Sequence, residues 1–182
     1  MRPGVHRTPE ARFADIDDFS SEPHFIEIDG LRMHYVDEGT GEAGTFLLLH
    51  GEPTWSYLYR GLIPVLTVAG YRTIAPDMIG FGKSDKVIDL EWYTLDHHVN
   101  TLKTVVTHLD RLFILNTWLH HDGYDYTQAL RAWNVRSQGV DFRKFAAHIP
   151  GATFDTVEGA GHFVQETGAR LAELMLRRIS EE

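Results

Sequence analysis

An α/β fold with a mostly parallel sheet and flanking helices is predicted by two features of this 182-residue sequence. Short apolar runs, such as residues 46–49 and 112–115, alternate along the chain with longer stretches of helical periodicity. The first run is apolar at every position, which is typical of a strand that is buried on both faces of a parallel sheet. An alternation of such strands with helices builds a layered α/β domain.

The sheet is predicted to begin with a hairpin. Apolar and polar side chains alternate over residues 25–28 and 31–36, and Asp29 and Gly30 lie between the two runs. An Asp-Gly pair between alternating runs favours a two-residue turn, because both turn positions need a positive φ. Residues 1–22 are polar and acidic, and we expect them to form a surface arm.

The remaining predicted elements alternate as this fold class requires. In chain order they are a helix over 55–69 closed by Gly70, a strand over 72–75, a helix over 95–109, a strand over 112–115, a strand over 152–157 and a helix over 164–179. Residues 118–142 are polar and aromatic without a strong period, which indicates a partial lid.

Composition excludes several classes of function. A net charge of −9 disfavours nucleic acid and anionic membranes as partners, because their phosphates repel an acidic surface. The sequence has no cysteine for a disulfide or a thiol nucleophile, and no apolar run approaches the roughly 20 residues that span a bilayer. The N-terminus lacks the apolar core of a signal peptide, so we expect a cytoplasmic protein.

Two other patterns resemble binding motifs and are rejected. Residues 80–85 contain two glycines and a lysine, but a phosphate-binding loop would need a glycine at position 77, where the chain has Asp77. The glycines are instead expected to serve a tight turn at a strand end. The pairs of adjacent histidines at 97–98 and 120–121 point to different faces of a helix or strand, so no metal site is predicted.

The most informative motif is the stretch from His50 to Trp55. It directly follows the apolar strand over 45–49, and it continues into a helical pattern. A loop in this position presents backbone N–H groups at the top of a parallel sheet, where they can stabilise an oxyanion. The donor would be the backbone N–H of Glu52. The ordinary alternative is a helix N-terminal turn with Pro53 near its first position.

Residues 50–86 closely resemble the haloalkane dehalogenases, a branch of the α/β-hydrolases, and residues 159–166 resemble the segment that carries their catalytic histidine. The similarity extends over residues 26–110, 111–142 and 143–179. It implies an α/β-hydrolase fold with residues 1–117 and 143–182 in the core and residues 118–142 in a partial cap. It also implies an enzyme without cofactor or metal, which uses a small halogenated aliphatic substrate and water and releases a halide ion.

The resemblance also implies roles for three residues. His162 would be the general base that activates water, and the Glu52 N–H would form part of the oxyanion hole. Trp133 would hold the leaving halide, because an indole N–H only donates hydrogen bonds. Aromatic packing of the lid is the alternative for Trp133. Two tyrosines in the lid segment, Tyr124 and Tyr126, leave an epoxide hydrolase of the same fold open as an alternative.

The sequence departs from the family at two joins, which are positions where a segment that the family has is missing and the flanking segments follow one another directly. The chain contains no Gly-flanked elbow with a nucleophilic aspartate after Asp110, and a second segment with the acid of the triad is absent near Phe142. A truncated, non-catalytic protein is therefore the third hypothesis. We favour the interpretation that the complete protein contains these segments and that the 182-residue sequence omits them. Excising central strands from a sheet would leave backbone groups unpaired.

Overall fold

A computed structural model describes residues 3–51, 53–105, 111–112 and 167–180. Within these ranges the strands are β1 (Val5–His6), β2 (His24–Ile28), β3 (Leu31–Glu38), β4 (Thr45–Leu47), β5 (Arg72–Pro76), β6 (Lys86–Val87) and β7 (Arg111–Leu112). The α-helices of the same ranges are α1 (Ile63–Val68), α2 (Leu95–Val105) and α3 (Gly168–Ser180). Short 3₁₀ helices cover Glu10–Phe13, Ser56–Tyr59 and Leu90–Trp92.

The main sheet is mixed, and its parallel part confirms the predicted fold class. Its strands lie in the order β2-β3-β5-β4-β7. The strand β4 pairs in parallel with β5 on one side and with β7 on the other, while β3 pairs antiparallel with both β2 and β5. The carboxyl ends of β4, β5 and β7 therefore lie at one edge of the sheet, where open α/β sheets bind their ligands.

The predicted hairpin is confirmed in its register and in its turn. The strands β2 and β3 pair antiparallel with Ile28 opposite Leu31, so only Asp29 and Gly30 form the turn. Both turn residues have positive φ, 51° at Asp29 and 75° at Gly30. This is the geometry for which an Asp-Gly pair is selected, because each of these residues tolerates the left-handed region.

The prediction of one helix over 55–69 is wrong in its extent. A 3₁₀ helix covers Ser56–Tyr59, and the α-helix begins only at Ile63. Pro64 lies in the first turn of α1, where its missing N–H costs nothing. In a continuous helix, the same proline would clash with the preceding turn. The predicted end is confirmed, since the Tyr71 N–H donates to the Leu66 carbonyl across Gly70.

The N-terminal segment is not the free surface arm that its polarity predicts. The strand β1 pairs antiparallel with β6, with Val5 opposite Val87, and Val5 joins a buried apolar cluster. Arg7 makes a bidentate ion pair with Asp85 at 2.6 and 2.8 Å. Farther along, the rings of Phe13 and Phe19 pack on Trp55. Non-local pairing and aromatic packing thus fix a segment whose own composition carries no such signal.

The C-terminal helix α3 confirms most of the closing helix that the sequence predicts over residues 164–179. Its buried residues are Gly168, Leu171, Ala172 and Met175, which form one stripe at helical spacing. A Cβ atom at Gly168 would lie 2.3 Å from the carbonyl carbon of Gly61, so the backbones of α3 and the start of α1 approach closely. The predicted strand over 152–157, the lid over 118–142 and both joins lie outside the described residues.

No helix in the described ranges combines the length and the apolar character needed to cross a bilayer.

Candidate active site

Two loops leave the carboxyl ends of the neighbouring parallel strands β4 and β5. The β4 loop covers residues 48–56, including Ser56 at the start of the following 3₁₀ helix, and its Glu52 lies outside the described residues. The β5 loop covers residues 77–85, between β5 and β6. Since β4 and β5 are parallel and in contact, both loops emerge at the same edge of the sheet.

The β5 loop is organised around the buried carboxylate of Asp77. One of its oxygens, Oδ2, accepts hydrogen bonds from His34 Nδ1 and from the Lys83 N–H, both at 2.8 Å. The other, Oδ1, accepts from the Ser56 N–H at 2.8 Å. Asp77 and Ser56 are fully buried, and His34 is 1% exposed. A buried carboxylate with three donors is satisfied, and it ties β3, the β4 loop and the β5 loop together.

The surroundings of Asp77 keep it ionised. Burial alone would raise the pKa of this carboxyl group, but the hydrogen bonds from His34, Ser56 and Lys83 and the charge of His34 hold the pKa below its usual value. The carboxylate therefore remains an acceptor at neutral pH.

A second set of contacts closes the β5 loop. The ammonium of Lys86 donates to the carbonyl groups of Phe81, Gly82 and Ser84. Gly82 has a φ of 45°, and a Cβ atom there would lie 2.1 Å from Asp77 Oδ2. The glycine therefore permits the close approach of the backbone to the carboxylate. This confirms the tight turn at the strand end that the sequence predicted for these glycines.

The β4 loop is anchored at its start to the sheet and to the first helical turn. The Leu48 N–H donates to the Ile74 carbonyl at 2.9 Å, which continues the pairing of β4 with β5. The hydroxyl of Tyr59 donates to the Leu49 carbonyl. Tyr59 is 1% exposed, and burial raises the pKa of its phenol, so it stays a donor. These bonds fix the chain as far as Leu49, the residue before His50.

His50 contacts the β5 loop through one nitrogen of its ring and its own loop through the other. Its Nε2 accepts a hydrogen bond from the Met78 N–H at 3.0 Å, and its Nδ1 lies 3.0 Å from the Gly51 carbonyl oxygen. The Phe81 ring packs edge-on against the imidazole at 5.2 Å. Burial lowers the pKa of His50, which favours the neutral ring.

Gly51 presents the exposed backbone of this site. Its carbonyl oxygen also accepts hydrogen bonds from the Thr54 N–H at 3.0 Å and from Thr54 Oγ1 at 2.7 Å. The residue is exposed at the carboxyl edge of the sheet. An exposed peptide held in a fixed orientation at this edge can bind a polar or anionic group.

All three residues that the sequence singled out, Glu52, Trp133 and His162, lie outside the described residues. The structure adds functional candidates that the sequence reasoning missed, namely His50, Thr54 and Asp77. Asp77 had a local signal, since it directly follows a strand and precedes a glycine-rich turn. Met78, which bonds to His50, and His34 and Ser56, which bond to Asp77, are distant from them in sequence, so no local pattern could identify these contacts. Within the described ranges, no cluster of three His, Cys, Asp or Glu side chains could hold a metal ion.

Comparison with known proteins agrees with this architecture. A family model described as the α/β-hydrolase fold matches residues 44–112. The chain is 50% identical over 111 residues to a haloalkane dehalogenase of Psychrobacter cryohalolentis, covering 58% of this chain and 37% of that protein. It is 48% identical over 105 residues to a haloalkane dehalogenase of Mycobacterium marinum, covering 55% of this chain and 35% of that protein.

A solved structure extends the similarity to most of the chain. The tetrameric haloalkane dehalogenase of Paraglaciecola agarilytica NO2 superposes with a TM-score of 0.63 at 30% identity, over 94% of this chain and 71% of that chain. The protein is thus an α/β-hydrolase by fold. Within that fold it belongs to the haloalkane dehalogenase family, as its sequence resemblance implied. The chain spans little more than a third of the length of the two curated relatives.

Proposed function

We propose that the protein is a haloalkane dehalogenase-type hydrolase that converts a small haloalkane and water into an alcohol and a halide ion. The observation that carries the proposal is the exposed Gly51 carbonyl with its fixed hydrogen bonds, which lies at the carboxyl edge of β4 within the residues that the α/β-hydrolase family model matches. The proposed enzyme needs no cofactor or metal. We propose a cytoplasmic location, in keeping with the acidic, cysteine-free sequence.

The proposed reaction has two steps. An aspartate carboxylate attacks the carbon that bears the halogen, so a C–O bond forms while the carbon–halogen bond breaks and halide leaves with the electron pair. Water then attacks the carbonyl carbon of the ester and gives a proton to His162. Collapse of the oxyanion expels the alcohol, which takes the proton held by His162. The carboxyl group that remains loses the second proton of the water to solvent and is a carboxylate again, so one proton is released with each halide. In this scheme, the Glu52 N–H stabilises the oxyanion and Trp133 holds the halide.

The nucleophilic aspartate has no elbow to carry it in these 182 residues. The proposal therefore applies to a protein that also contains the elbow segment and the acid of the triad. In that protein, residues 1–117 and 143–182 would form the core, and residues 118–142 would belong to the cap. The competing hypotheses are an epoxide hydrolase of the same fold and a non-catalytic relative.

The test starts with the intact mass of the protein purified from its own cells, followed by an assay of bromide release from a short bromoalkane. We expect a mass above the 20.8 kDa of this sequence and sustained bromide release. His162→Gln should release bromide once per site and accumulate an alkyl ester, which mass spectrometry detects, because only the second step needs the base. His6→Gln, at an exposed histidine of β1, is the matched control.

Three outcomes would contradict the proposal. Diol formation from an epoxide without bromide release would support the epoxide hydrolase. A mass of 20.8 kDa together with no turnover of either substrate would support the non-catalytic protein. Full turnover by His162→Gln would remove His162 from the mechanism.

A further inference from the structure

The N-terminal segment runs from β6 to the β4 loop, and we call its residues 4–19 the N-terminal strap. Its first residues are joined to β6, since β1 pairs with that strand and the Ile88 N–H donates to the Gly4 carbonyl at 2.9 Å. Among the described residues, no backbone-to-backbone bond connects residues 8–19 to the rest of the protein. Side-chain contacts therefore hold the larger part of the strap.

The strap contacts the β5 loop at two points. Arg7 makes its bidentate ion pair with Asp85, whose side chain is 1% exposed, and such a pair fixes both partners in one geometry. Farther along the strap, the rings of Phe13 and Phe19 each lie 5.5 Å from the ammonium of Lys83, which is within the range of a cation–π interaction. The strap is thus bound near the end of the β5 loop by charge and by two aromatic faces.

The same two rings contact the β4 loop. The centroid of Phe13 lies 5.5 Å from that of Trp55, and the centroid of Phe19 lies 5.2 Å from it. Phe19 also packs edge-on against Tyr57 at 5.6 Å. Tilted and edge-on ring pairs at these distances are favourable beyond the area that they bury. Phe13 and Phe19 therefore contact both loops at once.

The contact points of the strap lie next to the bonds that join the two loops. Lys83 donates its backbone N–H to Asp77 Oδ2, and Ser56, the residue after Trp55, donates its N–H to Asp77 Oδ1. A movement of either loop away from the Asp77 carboxylate would carry Lys83 or Trp55 away from the strap rings. Separation of the loops therefore requires that these ring contacts break first.

The strap itself is held by little buried surface. Between residues 9 and 20, only Phe13, Ile16 and Phe19 are half-buried, and the other residues are exposed. A segment with few buried apolar contacts opens at a lower free energy than the sheet on which it lies. The strap can leave while the bonds to Asp77 stay intact, whereas the loops cannot separate while the strap is in place.

We propose that the N-terminal strap is a clamp that opens as one unit, and that the β4 and β5 loops separate only after it has opened. Release of the strap is then a conformational step beside the candidate site, and it precedes any opening of that site. The inference goes beyond the proposed function, because it does not depend on which reaction the site performs.

Hydrogen exchange of the isotope-labelled protein at increasing, sub-denaturing urea tests the order of opening. The amide of Ile88 reports attachment of the strap, those of Lys83 and Ser56 report the two loops, and that of Leu48, which donates to the Ile74 carbonyl, reports the sheet. We expect the lowest opening free energy and the weakest urea dependence at Ile88, intermediate values at the two loop amides and the highest values at Leu48.

Two outcomes of the exchange experiment on the wild type would overturn the inference. A lower opening free energy at Lys83 or Ser56 than at Ile88 would mean that the loops open beneath an attached strap. Values at the loop amides or at Ile88 equal to those of Leu48 would mean that strap and loops open only when the whole sheet unfolds.

Substitutions at the two ends of the strap test whether it opens as a unit. Phe19→Ala removes the ring contacts at the far end from Ile88, and we expect exchange at Ile88 and at both loop amides to accelerate by one common factor, on the order of 10-fold. Arg7→Gln removes the ion pair at the near end and should give the same pattern. Arg12→Gln, at an exposed arginine of the same strap, is the matched control and should keep wild-type rates.

The variants contradict the inference in three cases. Acceleration of the loop amides without Ile88 in Phe19→Ala would show that the strap does not move as a unit. Acceleration of Ile88 alone would show that the strap does not clamp the loops. Equal effects of Arg7→Gln and Arg12→Gln would remove the ion pair from the clamp. Since Arg7 is partly exposed, Arg7→Gln keeps the test decisive if Phe19→Ala does not fold.

Discussion

The β4 loop and the β5 loop leave adjacent parallel strands at the same sheet edge, yet they are stabilised in opposite ways. The β5 loop is buried around a carboxylate, with Asp77 and Ser84 inaccessible and Lys83 only 8% exposed. The β4 loop is exposed at Gly51, and hydrogen bonds to half-buried side chains hold it. Two bonds connect them, from the Ser56 N–H to Asp77 and from the Met78 N–H to His50.

This difference indicates that the two loops have different roles. The buried loop provides stability, because its polar groups satisfy one another away from water. The exposed loop stays accessible to a ligand and takes its orientation from the buried loop. Substitutions in the β5 loop should therefore affect the free energy of unfolding, and substitutions in the β4 loop should affect the site with little change in stability.

The largest expected effect is that of Asp77→Asn. The amide replaces one of two acceptor oxygens by a donor, which then faces an N–H group in a buried site. We expect the free energy of unfolding to fall by about 3–5 kcal/mol, the range found when one partner of a buried charged pair is removed. Urea denaturation followed by circular dichroism measures the change.

The matched control for that variant is Asp37→Asn. Asp37 pairs with Arg72 at 2.6 Å, but its side chain is 20% exposed and that of Arg72 is 43% exposed. We expect a loss of no more than about 1 kcal/mol, as for other exposed ion pairs. Equal losses for the two aspartates would contradict the special role of the buried network.

A pair of glycine substitutions contrasts the two loops directly. At Gly82 the φ is 45° and a new Cβ would meet Asp77 Oδ2 at 2.1 Å, so Gly82→Ala should destabilise the protein by about 2–3 kcal/mol. At Gly51 a new Cβ meets no described atom within 4 Å, and Gly51→Ala should change stability by less than about 0.5 kcal/mol. Thermal unfolding of both variants provides the comparison. The reverse order would refute the assignment of stability to the β5 loop.

Lowering the pH should have a smaller effect on the free energy of unfolding. The direction of this effect follows from the lowered pKa of Asp77. The unfolded carboxyl titrates near its ordinary value of 3.8, and the folded carboxyl titrates below it. The stabilising contribution is therefore complete above about pH 4 and is lost as the pH falls through the folded pKa. The stability difference between wild type and Asp77→Asn should shrink below pH 4. A constant difference from pH 6 to pH 2 would indicate that the pKa of Asp77 is not lowered in the folded protein.

The smallest effect on stability is expected at Thr54. Thr54→Val removes one hydrogen bond to an exposed carbonyl that retains two other donors. We expect a change in the free energy of unfolding of less than about 1 kcal/mol, because water can replace the lost donor. Thr54→Ser is the control and should match wild type. A loss comparable to that of Asp77→Asn would mean that the β4 loop, too, carries stability.

Local sequence patterns predicted the parts of the fold that depend on local chemistry. The Asp29-Gly30 turn follows from turn preference and is confirmed. The apolar run over 46–49 predicts the strand β4, but the strand ends at Leu47 and Leu49 is 38% exposed, so the prediction is wrong in its extent. The break of the 55–69 helix depends on Pro64, whose position in the first turn was a local signal that went unused. The pairing of β1 with β6 is non-local, so the polarity of residues 1–22 could not predict it.

In the candidate site, too, local features were predictable from the sequence and contacts between distant residues were not. The position of the β4 loop followed from the strand before it, and the structure confirms the loop at the carboxyl edge of the sheet. The bonds that orient the loop join His50 to Met78 and Ser56 to Asp77. These partners come together only when β4 and β5 pair, so a one-dimensional pattern contains no sign of them. The roles of Glu52, Trp133 and His162 stay predictions.

The central claim is that the buried loop orients the exposed one, and hydrogen exchange at the Thr54 amide tests it most directly. Asp77→Asn would be compared with Gly168→Ala, which disturbs the contact between α3 and the start of α1 but touches neither loop. Exchange at Thr54 should accelerate on the order of 10-fold in Asp77→Asn and much less in Gly168→Ala, once both are scaled to global stability. Equal acceleration in the two variants would contradict the account.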